Sequence, residues 1–83
     1  MSPHYQRLPV IDVVPDARGW PTRIDWRGQD LDVEVCGQWR IDEPWGRPIR
    51  RDYFQLRTLD PALLVLVFHD RLADTWHLER LYD

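Results

Sequence analysis

Nine residues, "LDVEVCGQW" (31–39), constrain the fold of this chain more than any other stretch. Leu31, Val33, Val35 and Trp39 share one parity, while Asp32, Glu34, Cys36 and Gln38 share the other. A period of two sets alternate side chains on opposite faces of a strand, so the segment reads as a half-buried antiparallel strand. Its neighbours follow the same rule. "TRIDW" (22–26) places Thr22, Ile24 and Trp26 on one side and Arg23 and Asp25 on the other, and "RGQD" (27–30) supplies a glycine-bearing hairpin turn. "LPVIDVV" (8–14) is a weaker strand followed by a turn at "PDARG" (15–19). In residues 50–58, Phe54 and Leu56 share one face while Arg51, Tyr53 and Arg57 share the other. "TWHLERLY" (75–82) is the last strand, with Trp76 and Leu78 inward and a bulge expected near Arg80 that returns Leu81 or Tyr82 to the core.

Residues 60–74 carry two signals. Asp60 before Pro61 has the form of a helix N-cap and first helical residue. Val65, Val67 and the nearly continuous apolar run "LLVLVFH" (63–69) favour a central strand covered on both faces, and the strand is the reading adopted. The expected fold is therefore all-β: an antiparallel meander of five to six strands forming a small barrel or strongly curled sheet, SH3-like in character. Residues 1–83 make a single domain without repeat, linker or low-complexity stretch. One core is expected to hold Trp26, Val33, Val35, Trp39, Phe54, Leu66, Phe68, Trp76 and Leu78.

A chain of 83 residues buries only about 60–65% of the surface its unfolded form exposes, so the core is thin. Five tryptophans compensate, and most of them read as structural. The longest apolar run, "ALLVLVF" (62–68), is far too short to span a membrane as a helix. A lone cysteine, Cys36, forms no internal disulfide and no multi-cysteine metal motif; with no secretory signal, the expected location is cytoplasmic. The net charge of −3 disfavours generic binding to a nucleic-acid backbone. Residues 39–58 are nevertheless locally basic, with five arginines against three acids. All eleven basic residues of the chain are arginine, whose planar fork suits carboxylates, phosphates and aromatic faces, although a GC-rich genome accounts for the same bias.

Several stretches carry a resemblance. "PTRIDWRGQDLDVEVCGQWRIDEPWG", "RRDYFQL" and "VFHDRLADTWHLERLYD" resemble a small bacterial domain of unknown function, which occurs as free-standing proteins and at the C-terminus of ImuB-type relatives of Y-family translesion DNA polymerases. The pattern falls on Trp26, Arg27 and Gly28; on Val35, Trp39 and Arg40; on Trp45; on Arg51, Tyr53, Phe54 and Leu56; on Phe68 and Asp70; and on the terminal string Trp76, Leu78, Glu79, Arg80, Leu81, Tyr82 and Asp83. It covers about residues 20–83. His69 stands where the pattern has arginine, Asp74 and Pro61 where it has glycine. Aspartate tolerates a left-handed backbone, so the hairpin at 70–75 is expected to survive. The resemblance implies a setting in DNA damage tolerance and transfers no catalytic residue.

Chemistry-bearing constellations are sparse. His4, His69, His77 and Cys36 lack metal-ligand spacing, although pairing of residue 69 with 77 would set two imidazoles side by side. Cys36 lies beside acids that oppose thiolate formation, serine occurs only at Ser2, and no glycine-rich phosphate loop exists. No catalytic residue, metal or cofactor is expected, and the chain is read as a non-enzyme. Asp70 is expected to cap the following turn, and Glu79 and Arg80 to form a rim ion pair or an arginine–ring stack. The candidate binding set is Arg40, Trp45, Arg47, Arg50, Arg51 and Tyr53, centred on a ten-residue loop (40–49) whose Trp45 either projects or folds back as a lid. Two functions follow: a protein-interaction module taking an acidic or aromatic partner segment, or a single-stranded nucleic-acid binder using ring stacking and arginines.

Overall fold

The computed structural model of the protein describes residues 9–82; Ser2, His4, Leu8 and Asp83 lie outside them. Seven strands form: β1 (Val10–Ile11), β2 (Val13–Pro15), β3 (Pro21–Trp26), β4 (Gln29–Glu43), β5 (Ile49–Thr58), β6 (Leu64–Asp70) and β7 (Thr75–Tyr82). Every neighbouring pair is antiparallel, in one sheet of order β1-β7-β6-β5-β4-β3-β2. β1 and β2 are the two edges of that sheet, yet only Asp12 separates them in the chain. The sheet must therefore curl until its edges meet. Asp25 N–H donates to the Asp12 carbonyl at 2.9 Å and Leu78 N–H to the Pro9 carbonyl at 3.0 Å, which extends both ladders to the crossing point. The result is an all-β, nearly closed barrel. Seven strands replace the expected five to six because the run at 8–14 divides at Asp12, each half serving a different edge. Residues 64–70 are a strand, which settles the ambiguous segment, and no described helix is long and apolar enough to cross a membrane.

The turns follow their chemistry. Arg27 and Gly28 have φ of 52° and 83°, two left-handed residues between the paired Trp26 and Gln29, as a tight two-residue hairpin turn requires. Asp70 accepts from the N–H groups of Leu72 and Ala73 at 3.0 and 3.2 Å, and Asp74 takes φ of 54°, as expected of that hairpin.

The barrel interior is filled by Ile24, Leu31, Phe54, Leu56, Val65 and Val67, with Val33, Val35, Trp76 and Leu78 packed against them. The expected single core is instead two. Leu66 and Phe68 join Tyr53 in a second buried cluster on the opposite face of the sheet, flanked by Ile41 and Tyr82. Trp39 is not a core residue and remains 42% exposed. The reason is a bulge: Val35 pairs with Leu56 and Gly37 with Gln55, so Cys36 is an extra residue and parity reverses beyond it. Trp39 consequently lands opposite Tyr53, on the outer face. A second bulge lies at Glu79, one residue before its expected place, since Leu66 pairs with Arg80 and Val67 with Leu78. It sets Leu81 opposite Val65 and lets Tyr82 pack on the second cluster.

Candidate binding surface

β4 and β5 remain paired for two residues beyond the last β5–β6 pair, where Arg71 N–H still donates to the Arg50 carbonyl at 2.8 Å. Their ladder runs to Glu43 opposite Ile49, whereas β5 leaves β6 at Arg51 opposite Asp70. The expected loop 40–49 therefore shrinks to residues 44–48 at the tip of a two-stranded arm. Two cross-strand ion pairs join β4 and β5 here: Arg40 Nε lies 2.7 Å from Asp52 in the barrel wall, and Arg50 Nε lies 3.9 Å from Asp42 beyond it. Pro44, without an N–H, ends the ladder. Trp45 is 83% exposed at the tip, so it projects and is not a lid.

The six predicted residues do not form one patch. Trp45 and Arg47 occupy the tip, both exposed. Arg51 and Tyr53 belong to the outer face, where register aligns Trp39, Tyr53, Phe68 and His77 across β4 to β7. Trp39 stacks parallel on Tyr53 at 5.5 Å, Tyr53 meets Phe68 at 5.2 Å, and Phe68 stacks on His77 at 4.9 Å. The Arg51 guanidinium lies 4.3 Å from the Phe68 ring centre and donates to the Tyr53 hydroxyl at 3.2 Å, which in turn donates to Glu79 at 3.3 Å. Glu79 and Arg80 thus serve separate partners, Arg80 lying 5.8 Å over the Tyr82 ring.

Arg40 and Arg50 have the other parity and sit with the barrel mouth. Arg40, Asp52, His69 and Trp76 are aligned across four strands on the inner side. The Asp52 hydrogen bond raises the Arg40 pKa above its ordinary value. Arg71 pairs with Asp42 and lies 3.7 Å from Asp52. His69 bonds Asp74 at 2.9 Å and stacks on Trp76 at 4.7 Å. Because His69 pairs with Trp76 and Phe68 with His77, the two imidazoles occupy opposite faces and cannot share a ligand. The β2–β3 turn leans over this mouth. Asp16 Oδ1 accepts from Arg18 N–H at 2.8 Å and Trp20 N–H at 3.0 Å, the Arg18 guanidinium covers Trp20 at 4.3 Å, and Trp20 meets Phe54 edge-on at 5.9 Å. Between turn and strands lies a cavity of about 340 Å³, walled by Trp20, Phe54 and Trp76 and rimmed by Arg18, Arg40 and Arg71.

Sequence reasoning missed Arg18, Asp52 and Arg71. Asp52 had a signal, since it shares the parity of Phe54 and Leu56 and so puts an acid on the core side of its strand. Arg18 and Arg71 lie in turns, where no periodicity marks the direction of a side chain. Compared with known proteins, the chain matches no family model, no curated sequence and no solved structure.

Proposed function

We propose that the domain is a non-enzymatic protein-interaction module whose β4–β5 arm is the recognition element. The carrying observation is Trp45, a ring left 83% exposed at the tip of the β4–β5 hairpin, just past the last pair Glu43–Ile49. An exposed tryptophan contributes little to folding, whereas in an interface its large, stiff surface is among the strongest anchors. Arg47 at the same tip and the half-exposed Trp39 on the outer face of the adjoining barrel wall complete a surface suited to an acidic or aromatic partner segment. The likeness of residues 20–83 to the small bacterial domain found on ImuB-type proteins supports a setting in DNA damage tolerance. The nucleic-acid reading draws on the same rings, but Tyr53 and Phe68 are buried and offer no stacking platform, and the net charge is −3.

Capture from a lysate on the immobilised protein, beside Trp45→Ala and Arg47→Glu variants, tests the reading. Both variants should melt at the wild-type temperature, since exposed substitutions change stability by only about 0.5 kcal/mol, and both should lose the captured partner. Capture indifferent to Trp45→Ala would sink the arm as the recognition element. A labelled oligothymidylate titrated against salt addresses the second reading: tight binding that weakens steeply with salt would favour it.

A further inference from the structure

β4 has one edge without a neighbour. β5 pairs with β4 as far as Glu43, but on the opposite side pairing with β3 stops at Asp32. Among the described strands none covers that side of residues 33–43. The bulge at Cys36 interrupts this edge and leaves 37–43 as an unbroken strip. Strand edges are ordinarily blunted, because their outward N–H and C=O groups form a template for another chain. Here the strip borders the cavity of about 340 Å³ at the barrel mouth.

We infer that this edge receives an extended, acidic and aromatic segment of a partner protein as an added strand, with one aromatic side chain seated in the cavity. This rests on the reading of the domain as a protein-interaction module and specifies its mode. The backbone argument fixes the class of occupant, since only another extended chain satisfies alternating donors and acceptors along a strand edge. Register fixes its side chains. Gln38 and Arg40 face the mouth, so the residues added opposite them also face inward, toward Trp20, Phe54 and Trp76. An aromatic ring fits those walls. The next inward residue reaches the rim, where the guanidiniums of Arg18 and Arg40, 68% and 55% exposed, already pair with Asp16 and Asp52 and offer their remaining N–H groups to a second carboxylate. Outward residues of the segment lie beside Trp39 and Ile41. A second copy of the same strip would instead set Gln38 or Arg40 against the three rings, so pairing with itself is not the fit.

The test is selection of random seven-residue peptides displayed on phage against the full chain, followed by amide-resolved NMR with the best synthetic peptide. The expected peptides carry an aromatic residue with an acid two positions away. The amides of 37–43 should shift and gain exchange protection, and N-methylation of alternate peptide bonds should weaken binding at least ten-fold. Binding lost in Trp45→Ala but indifferent to N-methylation would place the peptide at the arm tip, overturning this inference while the module reading stands. A partner captured from lysate with no peptide selected would likewise overturn the inference and leave the module reading in place. Absence of both would overturn both. Protected 37–43 amides in a dimer seen by sedimentation without peptide would make the occupant a second copy and overturn the inference.

Discussion

Thr58 is the one buried polar side chain among the described residues, at 1% exposure, and it ties the β5–β6 turn to the barrel. Its hydroxyl accepts from Leu63 N–H at 2.8 Å and donates to the Pro61 carbonyl, while its own N–H donates to the Leu63 carbonyl at 2.9 Å. Thr58→Val keeps the shape and removes the hydroxyl, and with it the hydrogen bond from the half-buried Leu63 N–H, a loss of about 0.5–1.5 kcal/mol. Urea unfolding should show a loss in that range, with Thr58→Ser recovering most of it; a neutral Thr58→Val would mean that water takes over that N–H. Its parity with Phe54 and Leu56 put this threonine on the core side, but its partners, backbone atoms of a turn, had no signal in the sequence. Phe54 and Leu56 were legible, since parity alone puts them inside, and Trp45 was legible as a loop-tip residue from Pro44 and Gly46 on either side.

At the scale of the element, parity counting works only as far as the first bulge. It placed Val33 and Val35 correctly against the core and failed at Trp39, because Cys36 inserts one residue and turns the rest of β4 over. The local hint was Gly37, since glycine inside a strand often accompanies a bulge. Deleting Cys36 tests the role of the extra residue. The shortened strand would drive Trp39 into the barrel and Gln38 outward, or slip the arm's register and break the Arg40–Asp52 pair. The deletion variant should therefore be several-fold more destabilised than Cys36→Ser, whose exposed side chain contributes little; equal denaturation midpoints would contradict the bulge. The β2–β3 turn has its own titration. The Trp20 N–H holds the Asp16 carboxyl below its ordinary value against the opposing effect of desolvation, with the Arg18 N–H and guanidinium adding smaller contributions in the same downward direction. A depressed folded pKa adds stability above the unfolded value of about 4 and loses it as pH falls through the folded value. Asp16→Asn should accordingly flatten the acid side of the melting temperature against pH profile, and an unchanged acid limb would show that the turn does not report on folding.

For the whole molecule, the sequence carried the fold class and its curling into a small barrel, but not the strand pairing at the seam. Alternation identifies strands, whereas the order β1-β7-β6-β5-β4-β3-β2 depends on two- and three-residue edges too short to have a period of their own. Of the candidate site, the exposed tip residues Trp45 and Arg47 were legible, whereas the assembly was not, because the predicted residues divide between the two faces of the sheet and the tip and Arg18, Asp52 and Arg71 of the mouth had to come from the structure. The crossing at Asp12 has a further consequence in time. β2 through β7 are joined by successive neighbours and can zip as hairpins, but β1 must wait for β7, whose His77 and Trp76 it pairs with from the far end of the chain. Closure is thus the contact of highest sequence separation, and topologies dominated by such contacts fold in about milliseconds to seconds where local ones take microseconds. During synthesis, residues 10 and 11 emerge long before their partners, and the apolar interior lacks its last wall until the final strand is free of the ribosome. That interval is when nascent chains of this protein are most open to pairing with one another.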